Sequence, residues 1–105
     1  MLRVYYEIIA VIRQVRPLVR DIERRDRSLG DQIRRALASG ALNTAEASSG
    51  RGRTVAARFS DALGSMRESA AALETGEAFG YISLEGSDAL ARIDRICAAL
   101  YSLSR

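Results

Sequence analysis

The chain has 105 residues, 48% of them apolar and 28% charged, a balance that fits one globular domain with a modest core and excludes a disordered chain. A single cysteine, Cys97, excludes an internal disulfide framework or a multi-cysteine metal site, and the lack of histidine removes the commonest general base and metal ligand. The net charge of +3 is unevenly spread: residues 1–58 hold twelve Arg against six acids, residues 59–105 four against seven.

That asymmetry permits an anionic partner on the N-terminal half, and equally head-to-tail charge pairing between subunits. Aromatic residues are few and Ala is abundant, so the core must be built from small and aliphatic side chains, which favours close helix packing.

The first predicted helix covers about residues 2–26. Val4, Ile8, Val11, Val15, Leu18 and Ile22 alternate spacings of four and three, an apolar stripe. Arg13, Arg16, Arg20, Arg24 and Arg27 gather on the opposite side, and Pro17 predicts a bend rather than a break. The apolar run Val4–Ile12 carries Glu7 and is too short to span a bilayer, so a soluble cytoplasmic protein without membrane contact is expected.

A second helix is predicted over about 29–48, with Ser28 as N-cap, Asp31 in its first turn and Leu29, Ile33, Ala36, Leu37 and Ala41 as its stripe. The Ser48–Gly52 cluster breaks it. Thr54 then caps a third helix over about 54–79, striped by Val55, Phe59, Ala62, Met66, Ser69, Leu73 and Gly76. Gly80 ends that run. The fourth helix, about 84–103, follows an N-cap at Ser83 and carries Leu90, Ile93, Cys97 and Leu100. Nothing alternates with period two. The expected fold is all-α, a single antiparallel up-down four-helix bundle over residues 1–105.

The inventory argues against catalysis. Ser-His and Cys-His pairs cannot form without histidine, and Glu46, Glu68 and Glu74 lack the His partners that a di-iron bundle requires. Gly50-Arg51-Gly52-Arg53-Thr54 glances toward a phosphate loop but lacks its Lys and its preceding strand. Cys97 reads as a small core residue. Tyr5, Tyr6, Tyr81 and Tyr101 are scattered, and no base-stacking platform is expected of them. No enzyme, metal or cofactor is predicted.

Three segments carry a family resemblance. Ser39, Asn43, Ala45 and Glu46 match a Ser-Ile-Pro-x-Asn-Ile-Ala-Glu-Gly pattern, and Gly64-Ser65-Met66-Arg67-Glu68 matches Gly-Ser-Leu-x-Glu-Leu. Phe79-Gly80-Tyr81-Ile82 matches Leu-Gly-Tyr-Ile at the expected spacing. With these segments the chain, over roughly residues 5–103, resembles the bacterial four-helix-bundle family that includes the proteins encoded in intervening sequences of 23S ribosomal RNA genes. Gly40-Ala41, Thr44 and Ala47 depart from the pattern, which implies a weaker kink in helix 2. The resemblance implies a homopentameric ring. It also links the chain to the accessory variability determinants of diversity-generating retroelements, which bind nucleic acid and a reverse transcriptase through a basic surface.

Two sets of residues follow. Asn43, Glu46, Ser65 and Glu68 are expected to form a polar core; Asn43 and Glu46 share a helix face and could fix helix register through hydrogen bonds or an Arg pair. Ala62, Gly64 and Ser65 form a small-residue patch suited either to packing within the bundle or to a subunit interface. Arg20, Arg24, Arg27, Arg34, Arg35, Arg51 and Arg53 are the candidate nucleic-acid-binding residues. For those on helix 1, the alternative is a solvated face paired with Asp21, Glu23 and Asp26. Such a surface would hold RNA or DNA by backbone and shape, not by base sequence. The other reading of the chain is a scaffold ring that docks a protein partner and binds no nucleic acid.

Overall fold

A computed structural model describes residues 1–50 and 54–105 and contains four helices: α1 (Arg3–Arg25), α2 (Arg27–Ser49), α3 (Thr54–Ala78) and α4 (Ala89–Ser104). Each helix packs on its neighbour in sequence and α1 closes the ring against α4, with α2 against α3 the most extensive pairing. At about 1.5 Å rise per residue, a helix of the length of α1 or α2 spans roughly 35 Å. The longest dimension of the molecule is 43 Å. Helices of that length fit only side by side, and the architecture is the antiparallel up-down bundle that the periodicity predicts.

The turn from α1 to α2 is a single residue. Asp26 adopts an extended conformation (φ −151°, ψ 91°), its backbone N–H donates to the Ile22 carbonyl, and its carboxylate Oδ1 accepts from the Leu29 N–H at 3.0 Å. That is an N-cap bond to the third residue of the new helix. Ser28, the predicted cap, is instead inside the first turn, and Asp31 falls just beyond it. A reversal this tight drives the helices together at once. A Cβ built on Gly30 would lie 2.9 Å from both Cα and Cβ of Glu23.

Along α1 the buried residues are Val4, Ile8, Val11, Val15, Val19 and Ile22. Val19 rather than Leu18 faces the core; Leu18 is half-buried. A straight helix of 3.6 residues per turn drifts from a strict 3.5 repeat, and one extra step of four keeps the stripe aimed inward. The helix runs unbroken through Pro17.

Between α3 and α4 the chain turns in two stages. Gly80 takes φ +81°, its N–H donates to Glu77 O, and Tyr81 N–H donates to Gly76 O, a paired closure of the α3 C-terminus that needs the left-handed conformation glycine adopts freely. Residues 82–88 are then loop. Ser83 Oγ accepts from the Glu85 N–H, and Ser87 Oγ from the Ala89 N–H. So α4 begins at Ala89, not near residue 84: Ser83 caps a local turn, and Gly86 at φ +76° prevents a helix from starting there. The start of α4 is tied to α1, where Gln14 donates to Asp88 Oδ1 and accepts from Arg92 Nη1, both at 2.6 Å.

Candidate nucleic-acid interface

The polar residues between α2 and α3 come first, because they set how the two longest-packed helices meet. Ser65 Oγ donates to Ser39 Oγ at 2.8 Å, and Asn43 Nδ2 donates to Ser39 O and Oγ, both at 3.0 Å. Arg58 then bridges outward, donating from Nη1 to Asn43 Oδ1 at 3.2 Å and pairing through Nε with Glu46 Oε2 at 3.1 Å. The chain of contacts is continuous from Ser65 to Glu46.

Its depth differs from the expectation. Asn43 and Ser65 are half-buried, while Glu46 and Glu68 are exposed, the Glu46 side chain at 61% and that of Arg58 at 50%. The network therefore seals the edge of the α2–α3 contact and is not a polar core. The buried polar side chains among the described residues are Thr44, whose hydroxyl donates to Gly40 O, and Ser69, which donates to Met66 O. Of the small-residue patch, Ala62 is fully buried and Ser65 meets α2, but a Cβ on Gly64 would touch nothing within 4 Å.

An exposed ion pair stabilises by about 0–1 kcal/mol, far less than a buried one. Glu46→Ala is therefore expected to lower the melting temperature by only a few degrees, as read by a circular-dichroism melt. A loss above about 3 kcal/mol would show that Glu46 is held as a buried charge.

The arginines separate into groups. Arg20 and Arg24 lie on the C-terminal half of α1, and Arg27, Arg34 and Arg35 on the first three turns of α2, all exposed and all near the corner made by Asp26. Arg24 pairs with Asp21. Arg34 grips Glu23 with two parallel bonds, Nε to Oε2 at 2.9 Å and Nη2 to Oε1 at 3.1 Å. Arg24 fits the solvated, paired face given as the alternative for helix 1; Arg34, on α2, has few acids near it in sequence, and its partner Glu23 comes from α1. Arg20, Arg27 and Arg35 make no hydrogen bond or ion pair among the described residues. Arg51 and Arg53 lie outside the described residues.

Glu23 sits amid this group. Its carboxyl is held below the usual glutamate range chiefly by the Arg34 hydrogen bonds, with the nearby charges of Arg34, Arg27 and Arg20 acting in the same direction. Arg34 is pushed upward by the same pair. A depressed carboxyl contributes stability that is present above the ordinary glutamate range and is lost as pH falls through its folded value. Across the corner, Arg27 and Arg35 share a shallow depression with Ser28, Asp31 and Gln32.

Sequence reasoning missed what joins this corner to the far loop. Tyr81 Oη donates to Asp26 Oδ2 at 3.3 Å, so one carboxylate both caps α2 and anchors the segment after α3. Burial, followed by the Asp26 charge and hydrogen bond, pushes the Tyr81 hydroxyl above the usual tyrosine range. The Phe79 ring stacks on the Tyr81 ring, 5.4 Å between centroids and 19° between planes, while Phe79 itself is 65% exposed. The aromatic residues are thus not all scattered.

The groove between α3 and α4 is lined by Arg67, Glu74, Asp94, Tyr101 and Cys97 among others. Burial pushes the Cys97 thiol upward, which disfavours the thiolate that reactive cysteines use. Among the described residues, no three His, Cys, Asp or Glu side chains gather as a metal site, and no helix is long and apolar enough to cross a membrane.

A family model described as 23S rRNA-intervening sequence protein matches residues 1–102. No curated protein and no solved structure matches the chain significantly.

Proposed function

Because the chain belongs to the 23S rRNA-intervening sequence protein family, we propose that it is a non-enzymatic, oligomeric accessory protein that binds nucleic acid through its arginine-rich surface. The favoured ligand is structured RNA or an RNA–protein complex. The supporting observation is the exposed trio Arg20, Arg27 and Arg35, which has no ion pair among the described residues and surrounds a corner already rich in guanidinium groups. Guanidinium groups in this state are available to phosphate oxygens, and each contact displaces a counterion.

In a homopentameric ring every such group would be repeated five times, so modest patches would add to a strong field. A reverse transcriptase or another protein bound to the same RNA is the corresponding macromolecular partner. The reading as a scaffold ring without nucleic acid draws on a different observation, Leu42, which is 66% exposed on α2.

Titration with a generic hairpin RNA and a duplex DNA at two salt concentrations separates the readings. Micromolar binding that weakens steeply with salt, and that drops when Arg51 and Arg53 are changed to Ala, is the expected result. Absence of binding at low salt would leave the scaffold. Light scattering on the purified protein tests the ring, and a clean monomer would contradict it.

A further inference from the structure

The stacked pair Phe79–Tyr81 is an unexplained feature of the surface. Phe79 is 65% exposed at the end of α3, where a charged or polar residue would be less costly to hydrate. Its ring is not loose: Tyr81 covers one side of it at 5.4 Å and is itself fastened to Asp26 by the hydroxyl bond. The exposed face of Phe79 is therefore held in place before any partner arrives.

Charge reaches the anchor of that pair: Arg25 and Asp26 both act on the Tyr81 hydroxyl. Asp26 lies between Arg25 and Arg27 in the chain, both exposed and without an ion pair among the described residues. Two carboxylates of these segments are engaged in the fold: Asp26 with Leu29 N–H and Tyr81 Oη, Glu77 with the Leu84 N–H at 2.7 Å. A rigid aromatic face joined through Tyr81 to a corner that carries unpaired guanidinium groups is a combination that grips a single strand, the ring stacking a base and the cations following the backbone.

From this juxtaposition we infer that Phe79, backed by Tyr81, whose anchor Asp26 lies between Arg25 and Arg27 in the chain, is a stacking site for one unpaired nucleobase of single-stranded nucleic acid. The inference rests on the nucleic-acid reading above and sharpens it: the bound element is a loop, bulge or end whose bases are free, because a base inside a duplex has no open face to offer. Base identity is not read, since every base has a face that stacks.

Fluorescence anisotropy with a labelled single-stranded oligouridine and with a blunt RNA duplex of matched charge tests this. Phe79→Ala is expected to weaken single-strand binding about tenfold and to leave duplex binding within about twofold. Phe79→Leu should lose as much as Phe79→Ala, because it keeps apolar area but not the aromatic face. The chain has no tryptophan, so Phe79→Trp places a lone reporter at the site. Its fluorescence should be quenched by the single strand and not by the duplex. Full affinity in Phe79→Leu, equal losses for strand and duplex, or an unquenched Phe79→Trp would each overturn the stacking site while leaving backbone binding intact. If the unaltered protein binds neither probe at low salt, the nucleic-acid reading and the stacking site fail together.

Discussion

Replacing Gly30 with valine is expected to destabilise the fold by about 3 kcal/mol, a fall in melting temperature of roughly 10–20 °C for a domain of this size. The reason is the single-residue turn. With Asp26 alone between α1 and α2, the first turn of α2 passes directly beside Glu23, and a Cβ on Gly30 meets that residue's Cα at 2.9 Å. The obstacle is backbone, not the end of a flexible side chain, so relief requires one helix to move against a packed neighbour. The flanking core residues Ile22 and Leu29 are buried and leave little slack. Alanine isolates the effect, because it adds only the offending methyl group and gains about 1 kcal/mol of helix propensity over glycine. Gly30→Ala should still melt below the unaltered protein. If it melted higher, the two helices would not be held at the separation described.

Asp26→Ala should cost about 2 kcal/mol, through two contacts made by one carboxylate. Loss of an N-cap costs roughly 1 kcal/mol, and loss of a side-chain hydrogen bond about as much again. Here the cap is the bond from Leu29 N–H, and the second contact is the bond from Tyr81 Oη. Asp26→Asn is the informative companion. Asparagine caps helices about as well as aspartate and its amide oxygen can accept from a hydroxyl, so most of the stability should return. Thermal melts of both variants decide the matter; equal losses for Ala and Asn would mean that the charge, not the hydrogen bonds, holds the corner.

That corner also shows where sequence patterns stop being informative. The apolar stripes of α1, α2 and α3 were legible because helix periodicity is local, and of the residues assigned to them only Leu18 and Val55 are less than buried. The position of Glu46 was not legible from its pairing with Asn43 alone. The buried line of α2 runs through Leu37, Ala41, Thr44 and Ala47, and Asn43 and Glu46 each stand one residue before it, about 100° around the helix. Had Thr44 been placed on the stripe, Glu46 would have fallen on the flank where it meets Arg58. The start of α4 was ambiguous for another reason: Ser83, Ser87 and Asp88 all have the chemistry of a cap, and only tertiary packing selects among them.

The candidate binding surface was half legible. Charge counting located the arginines in the N-terminal half, but it could not say which were neutralised. Arg24 and Arg34 turn out to be paired with Asp21 and Glu23, one of them through a contact between two helices. The stacked Phe79–Tyr81 pair was invisible because its anchor, Asp26, is 55 positions away from Tyr81 in the chain. The Leu-Gly-Tyr-Ile-like motif gains a physical basis from it: Gly80 supplies the positive φ that closes α3, and Tyr81 locks the segment to the α1–α2 corner.

The most direct test of phosphate contacts at this corner is the salt dependence of affinity for a generic hairpin RNA, measured from about 50 to 200 mM salt, where such contacts are released. Changing Arg20, Arg27 and Arg35 together to Gln should reduce the slope of log K against log salt by roughly two to three. The control pair Arg67→Gln and Arg95→Gln, on α3 and α4, should leave it near that of the unaltered protein. A slope unchanged by the triple substitution, or no binding at the lowest salt, would contradict the arginine corner as the nucleic-acid surface.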